Sequence, residues 1–83
     1  MLFAPAEMLS GKQFKILRAT LAVESVNGKR TAVVVPNGAI VRVISGPTVA
    51  DPLVNLHWGS RRVEMFAIDV QNRGAEVTSA NGD

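Results

Sequence analysis

Thr31-Ala32-Val33-Val34-Val35-Pro36-Asn37-Gly38-Ala39-Ile40-Val41-Arg42-Val43-Ile44 places two β-branched runs around a Pro-Asn-Gly turn signal. Such runs favour a pleated, half-buried surface, so the stretch predicts two strands and an all-β fold. The turn needs care. A two-residue Asn-Gly loop would set Pro36 where a backbone N–H closes the ladder, and proline has none. A three-residue loop fits better, with Pro36 at the first central position and Gly38 supplying a left-handed residue. Beyond it Val41 and Val43 point one way, while Ile40, Arg42 and Ile44 point the other. The charge-free pair is the expected core face.

Working outward, Asn27-Gly28 is a stronger hairpin signal. A two-residue loop there pairs Val26 with Lys29, Glu24 with Thr31, Val23 with Ala32 and Leu21 with Val34. One face then holds Leu21, Val23, Ala32 and Val34. The other holds Ala22, Glu24, Thr31, Val33 and Val35. Both faces are apolar, which predicts either ordinary exposed valines or a surface covered by a second copy. Val33 and Val35 are the expected interface residues.

Gly59-Ser60 suits a type II′ turn with glycine first. Trp58 then faces Arg61, Leu56 faces Val63 and Val54 faces Met65 on an apolar side. His57 faces Arg62 and Asn55 faces Glu64 on a polar side, and a one-residue slip would spoil both. Gly46-Pro47 and Asp51-Pro52 bracket a loop. Asp69 is the expected cap of a single helical or 3₁₀ turn that Gly74 ends, before a short closing strand over Ala75-Glu76-Val77. Before Gln13 the reading stays open between a short helix after Pro5 and an irregular arm.

Five to six short strands with a one-turn helix before the last one predict a small barrel over 12–77. An N-terminal arm over 1–11 and a polar tail over 78–83 flank it. Val35-Pro36-Asn37-Gly38-Ala39-Ile40-Val41 and the run from Trp58 to Val70 resemble short, uncharacterised bacterial proteins with Src-homology-3-like barrels. That resemblance implies a fold and no activity.

Composition narrows function by exclusion. The chain has 83 residues, 47% of them hydrophobic, a net charge of +2 and no cysteine. That length is one domain, able to bury roughly 60 to 65% of its unfolded surface. Without cysteine there is no disulfide or thiolate chemistry, which suits a reducing cytoplasm. No apolar run reaches the roughly 20 residues of a membrane helix, and Pro5 and Glu7 argue against a signal peptide.

Catalysis needs a nucleophile with a base, or paired carboxylates. His57, the sole histidine, has Glu64 as a conceivable orienting group, but cross-strand pairing accounts for both. A metal would need Asp51, Glu64 or Asp69 to converge, and no ligand spacing is visible. The glycines are isolated turn residues, so no phosphate cradle or cofactor site is expected. The plasmid-borne trimethoprim-resistant dihydrofolate reductases are barrels of similar size, yet their strand motif Val-Gln-Ile-Tyr is missing from a chain without tyrosine. The expectation is a non-enzymatic, self-associating interaction module. The alternative is a weak nucleic-acid binder, with Arg61, Arg62 and His57 forming a basic stacking platform beside Trp58.

Overall fold

A computed structural model describes residues 9–77. Its elements are β1 (Gln13–Ile16), β2 (Thr20–Val26), β3 (Lys29–Val35), β4 (Ile40–Ser45), β5 (Leu53–Trp58), β6 (Arg61–Phe66), α1 (Ala67–Arg73) and β7 (Gly74–Val77). The all-β expectation holds, with seven strands where five to six were expected. They form one antiparallel sheet in the order β3-β2-β6-β5-β4-β1-β7. Among the described residues β3 and β7 are each paired on one side only, so the sheet is open rather than a closed barrel. The polar tail and most of the N-terminal arm lie outside the described residues.

The Asn27-Gly28 hairpin has the expected register throughout, from Val26–Lys29 to Thr20–Val35. Both loop residues take positive φ, 53° and 81°, as a type I′ turn requires. The second hairpin is also as expected: Trp58–Arg61, Leu56–Val63 and Val54–Met65 are opposed. Val54, Leu56, Val63 and Met65 are all buried. Gly59 has φ 63°, the left-handed value of the first position of a II′ turn.

The stretch Thr31–Ile44 is not a hairpin. β3 stands at one edge of the sheet, whereas β4 lies between β5 and β1. The tight turn itself forms, with Ala39 N–H donating to the Pro36 carbonyl at 3.2 Å and Gly38 at φ 96°. β1 captures it: Gly38 N–H donates to the Ile16 carbonyl, and Ile16 N–H to the Ala39 carbonyl at 2.8 Å. With the turn bonded to β1, the chain crosses the sheet instead of returning beside β3. Val41 and Val43 still face the core, as their pattern predicts.

The core draws on nearly every strand. Ile16, Val35, Val41, Val43, Val54, Leu56, Val63, Met65 and Val70 are all essentially inaccessible. α1 adds only Val70 to this set, so a single sheet must curl to cover its own apolar face. α1 is a seven-residue α-helix rather than a single turn, and Phe66, not Asp69, occupies its N-cap without a side-chain bond. Asp69 lies inside the first turn, with its carboxylate 3.7 Å from Arg73. Gly74 is extended, not a left-handed terminator; a Cβ there would stand 2.7 Å from the Val70 carbonyl.

The Gly46–Asp51 loop closes on reciprocal bonds between Thr48 and Asp51, and Asp51 Oδ1 accepts Leu53 N–H at 3.0 Å. Gly46 combines φ 86° with a Leu53 carbonyl oxygen 2.7 Å from where a Cβ would sit. Gly28, at φ 81°, has open space around it. Gly28→Ala should therefore cost only the left-handed penalty of about 1–2 kcal/mol. Gly46→Ala adds a backbone clash and should cost at least about 1 kcal/mol more. Urea denaturation of both variants checks the ordering; equal midpoints would contradict it.

Candidate interaction surface

Alternation along the hairpins fixes what the outer face of the sheet carries. Arg30, Ala32 and Val34 of β3 lie beside Ser25, Val23 and Leu21 of β2. Val23 stands opposite Glu64 of β6, and Glu64 opposite Asn55 of β5. The face is apolar at one end and polar at the other.

At the apolar end Leu21 is 63% exposed, Val34 56% and Phe66 51%. β2 and β6 pair only at Val23–Glu64 and Glu24–Val63. Beyond Val23 they part, leaving a groove of about 300 Å³ lined by Leu21, Val23, Ala32, Leu53, Met65 and Phe66, with Glu64 and Asp69 also on its wall.

This places the two expected interface valines differently. Val35 is completely buried in the chain's own core, and Val33 packs partly against it. Val35 thus offers nothing to a partner. Of the hairpin's exposed apolar residues, Leu21 and Val34 belong to the opposite face, while Val26 beside the turn shares the face of Val33 and Val35. Their register was readable, but which side turns inward depends on the β2–β6 pairing, made across a long stretch of chain. Glu24 opposes Val63, a core residue, so Ala22 and Glu24 share the inner face.

At the polar end Arg30 Nη2 donates to Glu64 Oε1 at 2.7 Å, beside a 140 Å³ pocket that Ser25, Asn55 and Arg62 also line. His57 stands in register between Arg42 and Arg62. Glu64 is committed to Arg30, so it does not orient His57 as a base. The carboxylates considered for a metal go to three separate places: Asp51 to its own loop, Glu64 to Arg30, and Asp69 to Arg73.

The expected stacking platform is divided between two faces. Arg61 shares the inner side with Trp58, and its guanidinium lies 4.6 Å from the indole centroid. It donates to both Glu24 oxygens, through Nε at 2.9 Å and Nη2 at 2.8 Å. His57 and Arg62 lie on the outer side. Fork-to-fork geometry of this kind is directional and ties β2 to the β5–β6 turn. No protein-family model, curated protein or solved structure matches the chain. No helix among the described residues is long and apolar enough to cross a membrane.

The hydrogen bonds from Arg61, with its charge, hold the Glu24 carboxyl below the usual carboxylate range and raise the Arg61 guanidinium. A carboxyl whose pKa is lowered by folding stabilises the fold above its unfolded value, and this is lost as pH falls through the folded value. Glu24→Gln should therefore melt below wild type at pH 7, and the gap should close as pH falls through and below the ordinary carboxylate range. Thermal melts across that range check it; a gap independent of pH would refute the linkage.

Proposed function

We propose that the chain is a non-enzymatic interaction module with a Src-homology-3-like architecture, which associates with copies of itself through the outer face of β2 and β3. The supporting observation is that Leu21, Val34 and Phe66 are each more than half exposed at one end of one sheet face. Apolar residues scattered singly are normal, but clustered around a groove they favour a contact surface. The cysteine-free composition suits a reducing cytoplasm. Sedimentation equilibrium tests the reading. Wild type should associate at high micromolar concentration, and Leu21→Lys or Val34→Lys should remain monomeric with an unchanged melt, since neither side chain is in the core. A wild-type chain monomeric at millimolar concentration would end it.

A second reading rests on Arg42, His57 and Arg62, aligned across β4, β5 and β6. Among the described residues neither arginine has a carboxylate within ion-pair distance. A phosphate backbone would supply the counter-charge both lack. If it binds there, the salt dependence of single-strand binding should flatten by about 1 unit for each arginine removed. Arg61→Ala should leave it unchanged, because that guanidinium is occupied by Glu24. Fluorescence anisotropy over a salt series checks both; no binding in low salt eliminates the reading.

A further inference from the structure

The two edges of the sheet differ in the devices that usually keep edges from pairing. β7 is four residues long, and its Glu76 lies 3.6 Å from the Lys12 ammonium. β3 is seven residues long, and from Thr31 to Val35 it carries no charge and no proline. Natural edges are blunted by shortness, charge or proline. The Thr31–Val35 stretch has none of these.

The turn determines which backbone groups that edge presents. A two-residue I′ loop makes Val26–Lys29 a pair that exchanges both hydrogen bonds, so Glu24–Thr31, Ala22–Val33 and Thr20–Val35 do the same. The N–H and C=O groups of Arg30, Ala32 and Val34 consequently point away from β2. The side chains of these same residues lie on the outer face, beside Leu21 and Val23.

We infer that β3 pairs antiparallel with the β3 of a second copy, around a twofold axis at Ala32, so that one sheet runs on into the other. This rests on the self-association reading and names its contact. Centred there, all three edge-facing residues find partners: Ala32 meets Ala32, and Arg30 meets Val34 on either side. The smallest side chain falls where two copies stand directly opposed. Lys29 and Arg30 lie at one end of the strand and the three valines at the other. Antiparallel pairing sets each copy's cations beside the other's uncharged end, whereas a parallel arrangement would stack them. Arg30 brings its own counter-charge in Glu64 at 2.7 Å, and its aliphatic stem can cover Val34. Val34, which has the Leu21 neighbour on one side only, gains a neighbour on the other.

Amide hydrogen exchange of the wild-type chain, followed by NMR below and above its association concentration, tests the contact. The amides of Thr31, Val33 and Val35 bond to β2 and should be protected at every concentration. Those of Arg30, Ala32 and Val34 should exchange freely when dilute and become protected as copies associate. Packing of apolar faces alone would not produce this alternation. Ala32→Pro provides a second route, because its missing N–H is one that points away from β2. It should keep the hairpin and weaken association by roughly tenfold or more. If it fails to fold, the wild-type exchange pattern still decides. Association without alternating protection overturns the β3 contact and leaves the face reading standing. A chain that never associates overturns the face reading itself. Protection that appears only on adding an extended peptide assigns the edge to a foreign strand and overturns the second copy.

Discussion

Two residue pairs, Val23–Glu64 and Glu24–Val63, are the whole ladder joining the β2–β3 hairpin to the rest of the sheet. That short contact decides which hairpin face turns inward, and the surface chemistry follows from it. Hydrophobicity alone would not make the same choice. The outward face carries Leu21, Val23, Ala32 and Val34; the inward face carries Thr20, Ala22, Val33 and Val35, and Glu24. Burying a leucine or valine contributes about 1.5–3 kcal/mol, so the outward set has at least as much to gain. Volume and polarity favour the other orientation. A close-packed interior already filled by Leu56, Val63 and Met65 admits Ala22 more readily than Leu21. Turned over, Glu24 would lose Arg61, and Ser25 and Arg30 would face the inner side.

Around this ladder the ion pairs act as locators. Arg61 holds Glu24 in a fork, and Arg30 holds Glu64, each linking the hairpin to β6 on a different face of the sheet. Exposed pairs contribute little to net stability. Their geometry nevertheless fixes the hairpin's rotation where only two rungs of the ladder do so. Glu64 is spoken for by Arg30, and Asp69 by Arg73, so His57 is left between two arginines.

What could be read in the sequence follows the range of the interaction involved. Both two-residue hairpins were legible to the residue, because Asn27-Gly28 and Gly59-Ser60 set register through backbone dihedrals alone. The inward pair Val41–Val43 was legible because a single charge, Arg42, labels the other face. The partner of β4 was not. Pro36-Asn37-Gly38 does form a tight turn, but its bonds go to Ile16 and β1, a pairing no local pattern encodes. The length of α1 and the role of Asp69 also escaped; Gly74 ends the helix as expected, but extended and against the Val70 carbonyl rather than left-handed. The candidate surface was half legible: an apolar excess on β2–β3 was visible, but its inward and outward faces were separable only through Glu24–Val63.

The groove and the open edge both belong to the β2–β3 hairpin. A hairpin held by only two rungs at its middle diverges from β6 toward Leu21 and Phe66, which opens the groove. It also stands at the margin of the sheet, which among the described residues leaves the far side of β3 without a neighbour. A longer β2–β6 ladder would close the groove by bringing Leu21 against Phe66, yet β3 would remain an edge. The two features are therefore separable. The groove depends on side chains that a single lysine disrupts, whereas the edge depends on backbone groups that only proline removes. An association that responds to both substitutions uses the hairpin as one surface, and one that responds to the lysine alone uses only the groove.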